Sequence, residues 1–521
     1  MPRHNESFAG MRSGWRALLN LGFGLLCLRF LFAAGQSADW TFGLLTVTGF
    51  GLAWWRPSAG LFVLVLSLPL IGGLEKTVLS LPYSAVLAIA SSLWLGLSAR
   101  KLFRIPPARS PGGASASAGQ RPVAWPDLLV EVLAIIALVS LGIQIWRQDA
   151  APDFWRHFWQ QTSHGTGDPA YFLTAGFLWL HGLFNLRALR ESEGITPGGI
   201  KLVFLVHGIL LLFFFGLEWL VDLPARWTPG FQSPYEDIAT FGIMAACGLL
   251  LCLTLMRRES WPRTLLLGMG TLLLVVAVGA SWSRGTWLTS AVFLCVLALL
   301  RLPRTVAIVV PAILLSTVVL LNLNANRIPL ESQSFLERLM SLVRFEDPRN
   351  KSDRFDLYQK AWVMIRAQPW TGHGIGTFYN LSPRYARQDD PNGAMPQLPH
   401  NILLQLAAEQ GVPAATLFIG LIGWILWRGI RCWNSYRRLA VGGEEGETAR
   451  SIAHLTLALT LALGAYLQAN MTWDILMVHP SQPYFFWFLM AALWATTDRA
   501  NRQIASLGEI TSSVETSANL R

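Results

Sequence analysis

Long apolar runs alternate with short polar segments along most of the chain. A run of about 17–25 apolar residues has the length of a helix that crosses the hydrocarbon core of a bilayer. Fourteen runs come near this length: 15–34, 40–55, 58–74, 82–98, 127–146, 169–189, 200–220, 236–256, 263–281, 285–301, 304–322, 401–427, 451–472 and 482–497. Because 40–55 and 58–74 are short and adjacent, a bent or re-entrant pair is an alternative for them. The pattern predicts an all-α, polytopic integral membrane protein with about 12–14 transmembrane helices.

Lys and Arg residues mark one side of the predicted membrane. Loops that stay in the cytoplasm carry an excess of these residues. Seven basic clusters fall on one side if every predicted span crosses once, and they surround Arg12, Arg104, Arg190, Arg257, Arg301, Arg431 and Arg499. This agreement favours an even number of spans, with both ends of the chain in the cytoplasm.

Composition supports the same class. Of the 521 residues, 53% are hydrophobic and 14% are charged, whereas soluble domains carry about 25% charged residues. The net charge is +10, but the basic residues lie between the apolar runs, so nucleic-acid binding explains them poorly. The five cysteines lie in or beside apolar runs without CxxC spacing, which predicts neither a disulfide nor a metal site.

Two longer polar segments divide the chain. A cytoplasmic linker at 99–126 contains the Pro-, Gly- and Ser-rich string PPARSPGGASASAGQRP, which is typical of a flexible connection. The longest polar stretch, 323–400, is placed outside the cytoplasm, and helical spacing of apolar residues over 355–365 predicts an amphipathic helix within it. The predicted organisation is transmembrane helices 1–11 in 1–322, a loop domain in 323–400, transmembrane helices 12–14 in 401–497 and a cytoplasmic tail in 498–521.

The first candidate for chemistry is an arginine in the very short outer turn at 281–287, SWSRGTW. The turn holds Arg284 at the membrane surface beside Ser283. A charge held in a membrane is by default a functional hypothesis, and a snorkelling interfacial arginine is an equal alternative. A second arginine, Arg354, stands at the start of the predicted loop helix, and its pattern alone favours a solvated surface charge.

Three glycines alternate in the segment 369–378, PWTGHGIGTF, and exclude a helix there. Gly372 and Gly374 allow a close approach of the backbone to a ligand and offer N–H groups to an anion. A tight structural turn is the equal alternative, and His373 shares this ambiguity. No strand–helix unit surrounds the glycines, so a nucleotide-binding fingerprint is a weak interpretation.

His400 and Asn401 directly precede the twelfth predicted span on its outer side. A helix N-terminus favours the neutral imidazole, and histidine titrates near neutrality. A lone interfacial histidine is usually structural, but its predicted side and depth match those of Arg284. No Walker A motif, DxD pair or catalytic triad occurs in the chain, so neither ATP nor a metal is predicted.

At these segments the sequence resembles the superfamily of O-antigen ligases and O-antigen polymerases. The motifs that carry the resemblance are Ser283-Arg284-Gly285 before a span, the proline and alternating glycines of 369–378, and His400-Asn401 with Leu403, Leu404, Glu409 and Gly411 behind them. Their order and the long outer loop also agree with the superfamily. The resemblance covers roughly 265–425, whereas the amino-terminal half agrees only in hydropathy.

The resemblance implies a GT-C-like, inverting glycosyltransferase that needs neither a metal nor a cofactor. Its donor is a glycan on undecaprenyl pyrophosphate, and the site faces the periplasm from a Gram-negative inner membrane. A ligase transfers the glycan to the lipid A core, a polymerase to another lipid-linked glycan, and a third branch to a protein hydroxyl. The residues implied as catalytic are Arg284, Arg354 and His400; those expected at the substrate are Ser283, Gly372, His373, Gly374 and Asn401.

This chemistry suits the residue types. Arginine neutralises the leaving pyrophosphate and binds it bidentately. Histidine accepts a proton from the acceptor hydroxyl as that oxygen attacks the anomeric carbon. The alternative from another class is a transporter or flippase of a lipid-linked substrate, whose pathway polar residues such as Arg29 and His207 would mark. A transporter site lies near the midplane, whereas these candidates gather on one face.

Overall fold

The computed structural model describes residues 40–55, 92–93, 95–96, 99–100, 125–147, 179, 182, 186, 238–255, 261–280, 283–301, 348–386, 398–439, 443–471 and 481–518. All regular secondary structure in these residues is helical, which confirms the all-α prediction for this part of the chain. The predicted spans 15–34, 58–74, 200–220 and 304–322 lie outside the described residues, as does most of the linker 99–126.

The described helices follow the apolar runs closely. In chain order they are α1 (Trp40–Trp55), α2 (Trp125–Arg147), α3 (Ile238–Leu255), α4 (Trp261–Ala280), α5 (Arg284–Arg301), α6 (Pro348–Ala367), α7 (Phe378–Leu381), a 3-10 turn (Ser382–Tyr385), α8 (Ile402–Gln410), α9 (Val412–Leu439), α10 (Gly443–Asn470) and α11 (Ser481–Ala518). Helices α1 to α5 and α10 correspond to single predicted spans. Helix α11 continues well past 497, so the start of the predicted tail is helical.

One predicted span is wrong in its extent. The run 401–427 was expected to form one helix, but the chain breaks at Gly411 into α8 and α9. Gly411 has a φ of 89°, a conformation that side chains with a Cβ rarely adopt. A Cβ at this position would also collide with the backbone oxygen of Trp370. Pro413, two residues later, has no N–H to donate to the oxygen of Glu409, so a regular helix cannot continue here. The neighbouring segment passes directly over the glycine at this break.

Helix α10 lies at the centre of the described bundle and packs against α3, α5, α9 and α11. Helices α9 and α10 are antiparallel: Gly429 lies against Thr460, and the Cys432 and Thr456 side chains are 3.8 Å apart. On the other side of α10, the Cys247 thiol of α3 donates to the backbone oxygen of Ala462 at 3.3 Å. The large buried aromatic residues of α11 complete this core.

Helix α5 also runs antiparallel to α10. Phe293 lies against Gly464, whereas Leu297, one turn later, shares a cluster with Leu461 and Leu457. A helix rises about 1.5 Å per residue, so α5 begins about 14 Å before Phe293 and α10 ends about 9 Å after Gly464. The first turn of α5 and the last turn of α10 therefore lie at the same end of the bundle.

Two arginines close the C-terminal ends of neighbouring helices. The Arg301 guanidinium at the end of α5 donates to the backbone oxygen of Thr254 near the end of α3, at 2.7 Å. Arg100 donates to the oxygen of Trp55 at the end of α1, at 2.8 Å. A cation suits the negative end of the helix dipole, so both contacts stabilise a helix end. The charge pattern predicts that the ends of α1, α3 and α5, and Arg100, all lie on the cytoplasmic side.

The surface of the bundle is apolar where a soluble protein would be polar. Helix α2 exposes a stripe of Leu128, Val132, Ile135 and Val139, spaced to form one face. Two described helical segments, Val412–Leu439 and Gly446–Asn470, are long and apolar enough to cross a membrane. The exposed apolar stripe of α2 and the length and apolarity of these two segments fit contact with lipid.

Candidate functional site

The start of α8 is held by Asn401, whose side chain caps the helix. Its Oδ1 accepts hydrogen bonds from the backbone N–H groups of Leu403 and Leu404, at 3.0 and 3.1 Å. Its Nδ2 donates to the backbone oxygen of Met471, at 3.4 Å. An asparagine cap stabilises a helix by about 0.5–2 kcal/mol. The structure thus gives Asn401 a local role, while its predicted contact with substrate stays a prediction.

His400 precedes this cap and has an unusual backbone. Its φ of 49° makes it the one non-glycine residue with positive φ in the described part of the chain. Non-glycine residues in this region are uncommon, although histidine is enriched among them, and such strain often occurs at functional sites. The residue is half-buried. His400 is therefore fixed in an orientation that an extended or helical backbone would not give it.

The glycine segment 369–378, called the glycine loop below, lies along the C-terminal end of α8. Backbone N–H groups of the loop donate to this helix: His373 to the oxygen of Ala408 and Gly374 to the oxygen of Glu409, each at 2.9 Å. In return, the N–H of Val412 donates to the oxygen of Pro369 at 2.8 Å. These N–H groups are used within the protein, so the geometry favours the structural alternative for Gly374 over an anion site.

Two glycines permit this close packing. Gly372 has a φ of 63°, and a Cβ there would collide with the backbone of Glu409. Gly411 faces the loop from the other side, against the backbone of Trp370. Each glycine thus meets the backbone of the other segment, and a side chain at either position would force them apart.

The side chain of Glu409 reaches from α8 into the same loop and is fully buried. Its Oε2 accepts from the N–H of Gly376 at 2.9 Å, and its Oε1 accepts from the N–H of Phe378 at 3.2 Å. Gln405, one turn earlier on α8, donates to Oε1 at 3.3 Å. Hydrogen bonds to a charged acceptor contribute about 1.5–3 kcal/mol each. The carboxylate therefore joins α8 to the loop and to the start of α7.

The end of α8 is also fastened to more distant helices. The Ser140 hydroxyl of α2 donates to the backbone oxygen of Glu409 at 3.0 Å. The indole N–H of Trp179 donates to Oε1 of the fully buried Gln410, at 3.0 Å. Trp179 in turn packs edge-to-face on Phe418 of α9. Buried polar groups of α8 are thus satisfied by partners from several parts of the bundle.

His373 lies in the glycine loop and is half-buried. Its Nε2 lies 3.0 Å from the backbone oxygen of Met364, and because a carbonyl only accepts, Nε2 carries the proton in this contact. The ring also packs edge-to-face against Tyr385, with centroids 5.3 Å apart. The structure therefore shows His373 bracing the loop against α6, and its predicted contact with substrate stays a prediction.

Helix α6 confirms the predicted amphipathic helix and extends it to Pro348–Ala367. Ala361, Met364 and Ile365 are buried in the core, but Phe355 and Trp362, counted with the apolar face in the sequence, are exposed. Arg354 lies in the second turn of α6, and α6 packs against α8. The backbone of Arg354 thus belongs to the unit that holds His400, and its side chain lies outside the described groups.

Ser283 and Arg284 open α5. The Ser283 hydroxyl accepts from the N–H of Thr286 at 3.3 Å, and its backbone oxygen accepts from the N–H of Trp287 at 3.0 Å. The Trp287 indole donates back to the oxygen of Val278 at 2.8 Å, closing the turn between α4 and α5. Ser283 therefore caps the helix that Arg284 begins. The side chain of Arg284 lies outside the described groups.

Arg284 and His400 lie at the same end of the described bundle. Asn401 binds Met471 just after α10, and α5 opens at that same end of α10. Arg354 lies on α6, which packs against α8. A site shared by the three residues stays a prediction.

Glu409 links α8 to the glycine loop, and this role was missed in the sequence. It was noted only as part of a motif. A stronger signal was available: a carboxylate within an apolar run is costly in a membrane and calls for specific partners. Gln405, which donates to this carboxylate, gives the same signal, since it is also fully buried.

Comparison with known proteins agrees with the motifs. Residues 269–419 match the family described as O-antigen ligase. No curated protein matches the chain. The matched segment runs from the first half of α4 into α9, and it includes Arg284, Arg354 and His400. The predicted resemblance is confirmed over this segment: residues 269–419 match the model of the O-antigen ligase family.

Proposed function

We propose that the protein is an O-antigen ligase that transfers a glycan from undecaprenyl pyrophosphate to the lipid A core. The observation that carries the proposal is the family match over 269–419, which spans both arginines and the histidine. The match supports a ligase or polymerase type of function and a membrane enzyme in lipopolysaccharide synthesis. The choice of ligase, donor and acceptor belongs to the proposal.

In the proposed reaction, Arg284 and Arg354 bind the pyrophosphate of the donor. A bidentate guanidinium pairs well with phosphate oxygens. Negative charge on the bridging oxygen grows as the glycosidic bond breaks, and fixed cations stabilise that change. His400 takes the proton of the acceptor hydroxyl while its oxygen attacks the anomeric carbon. A single displacement inverts the anomeric configuration and releases undecaprenyl pyrophosphate.

We place this site at the periplasmic face of a multi-pass inner-membrane protein. Support comes from the seven basic clusters along the chain and from the two arginines that close predicted cytoplasmic helix ends. The exposed apolar stripe of α2 and the segments Val412–Leu439 and Gly446–Asn470 fit the same placement. The loop 323–400 then lies in the periplasm.

The test is transfer by the purified protein in liposomes that contain a defined undecaprenyl-pyrophosphate glycan. Lipid A core, a second lipid-linked glycan and a protein acceptor are supplied in separate reactions. A ligase extends only the lipid A core, without added metal or ATP. Elongated lipid-linked product would indicate a polymerase, a glycosylated protein would indicate an oligosaccharyltransferase, and loss of transfer after chelation would contradict metal independence.

A further inference from the structure

We propose that Glu409 is a positioning residue for this transfer, which rests on the proposed function. Its buried carboxylate fixes the glycine loop to α8. The loop directly follows α6, which carries Arg354, and α8 directly follows His400. The contact of Glu409 with the loop therefore sets the relation between the arginine that binds the leaving group and the histidine that accepts the proton.

The first argument is the geometry of the carboxylate. Its two oxygens accept separate backbone N–H groups two residues apart, from Gly376 and Phe378. Gln405 of α8 is a third donor, which binds Oε1. Because three donors from two segments bind it, the carboxylate is held in one orientation. The carboxylate therefore fixes both the position and the orientation of the loop relative to α8.

The second argument is that Glu409 binds the loop through its backbone as well. Its carbonyl oxygen accepts from the N–H of Gly374, and a Cβ at Gly372 would collide with the same peptide group. The loop therefore contacts Glu409 at alternate positions along its length. The hydroxyl of Ser140 in α2 donates to the same carbonyl, so Glu409 is fixed to the bundle too.

The third argument is where the loop leads. His373 binds the oxygen of Met364 in the last turn of α6, and Pro369 accepts from Val412 at the start of α9. The loop thus links the last turn of α6 to the end of α8 and to the start of α9. A shift of the loop moves α6, and with it the backbone of Arg354, relative to His400. Displacing a reacting group by about 1 Å can lower a rate by about a hundredfold.

Glu409→Gln tests the proposal with the smallest change of shape. The amide keeps one acceptor oxygen but turns an NH2 group towards the second N–H donor, so one loop contact is lost. We expect kcat to fall by about 10–100-fold, while KM for the lipid-linked donor changes by less than about threefold. Hydrogen exchange of the peptide that covers 370–378 should become faster.

Gln410→Ala is the matched control. Gln410 is the next residue on α8 and is equally buried, but it binds Trp179 instead of the loop. It should lower the melting temperature while leaving kcat and the exchange of the loop near the wild-type values. Glu409→Asp keeps the charge on a shorter side chain, and we expect turnover between those of Glu409→Gln and the wild type.

Two results would overturn the proposal. Faster exchange of the loop in Glu409→Gln with wild-type kcat would show that the loop does not position the reacting groups. An equal loss of kcat in Gln410→Ala would show a general loss of stability. Should the wild type transfer no glycan at all, the proposed function fails, and unchanged loop exchange in Glu409→Gln would separately refute the contact's positioning role.

Discussion

The side-chain amide of Asn401 donates to the backbone oxygen of Met471, at 3.4 Å, and joins the start of α8 to the end of α10. His400 stands one residue before this contact. Arg284 opens α5, whose first turn lies at the same end of α10 because Phe293 packs against Gly464 further along. One end of a single helix thus gathers two residues 116 positions apart. Such an arrangement is required if both act on one substrate.

The arginines are expected to act in the transition state. Arg284→Ala and Arg354→Ala should express and fold but lose turnover, since their contact strengthens as the pyrophosphate departs. Arg284→Lys should restore part of the rate, because lysine keeps the charge and loses the planar fork. The measurement is kcat in liposomes, with melting temperature as the test of folding.

Arg366→Ala is the control for Arg354. Arg366 is exposed on the same helix and lies over the ring of Trp362, with its guanidinium carbon 5.2 Å from the ring centre. Its removal should leave kcat near the wild-type value. Wild-type rates in both Arg284→Ala and Arg284→Lys would show that Arg284 is an interfacial anchor.

His400 is expected to be the general base. Removing a general base lowers a rate by about 10²–10⁴-fold. Asn is the replacement of choice, because asparagine also tolerates positive φ and the φ of 49° at this position would otherwise confound the result. His400→Asn should therefore bind donor and melt like the wild type while turnover is lost.

The same assignment predicts a pH profile. A protonated imidazole cannot accept a proton, so the wild-type rate should fall as the pH drops through the histidine pKa, ordinarily about 6.5. The residual rate of His400→Asn should lack this acidic limb. An identical limb in both proteins would remove His400 from the mechanism and make His373 the next candidate.

Substitutions of Asn401 can distinguish its role as a helix cap from a direct contact with substrate. Asn401→Ala should destabilise the protein by about 1 kcal/mol, whereas Asn401→Ser should retain most of the stability because serine also caps helices. If Asn401 acts only as a cap, Asn401→Ser transfers glycan at nearly the wild-type rate. A stable Asn401→Ser without turnover would instead show that the amide contacts the substrate.

Gly372 is expected to tolerate no side chain. Gly372→Ala places a Cβ at a φ of 63° and against the backbone of Glu409; the conformation alone costs roughly 1–2 kcal/mol. Gly423→Ala is the matched control, since Gly423 lies in α9 and a Cβ added there would meet no other atom within 4 Å. The melting temperature should fall for Gly372→Ala and stay or rise for Gly423→Ala. Equal melting temperatures would contradict the observed packing of the loop.

The topology can be tested without activity. Single cysteines at Asn324 and Ser332, in a cysteine-free background, should react with an impermeant thiol reagent added to intact cells. The charge pattern places both residues in the periplasm. A cysteine at Gly113 in the predicted cytoplasmic linker is the control and should react only after lysis. The reverse pattern of labelling would overturn the predicted orientation.

Much of the helical layout could be predicted from the sequence. Apolar runs predicted α1 to α5 to within about two residues, because a helix in lipid must be apolar along its whole length. Helix α10 begins at Gly443, before its predicted span 451–472, because its first residues are polar. The break at Gly411 was missed, although a glycine followed two residues later by Pro413 is a typical helix end. The segment that packs on this break could not be predicted in the same way. It is the backbone of Trp370, 41 positions earlier.

The residues of the candidate site were chosen from motifs in the sequence, and their contact with substrate stays a prediction. Asn401 and Gly374 were expected at the substrate, and the structure shows local contacts for both: Asn401 caps α8 and Gly374 donates to Glu409. Such contacts depend on packing between distant segments, which the sequence does not show. The buried carboxylate of Glu409 was overlooked for another reason, since a carboxylate within an apolar run was itself a signal in the sequence.

The break at Gly411 also has a consequence for biosynthesis. Synthesis proceeds from the amino terminus, and four described groups that bind the polar end of α8 come earlier in the chain: Ser140, Trp179, Gly376 and Phe378. When Glu409 leaves the ribosome, these groups have already been made. The contact of Asn401 with Met471 awaits later residues. The nine-residue helix α8, with its buried carboxylate, can therefore pack against these groups before the last helices are translated.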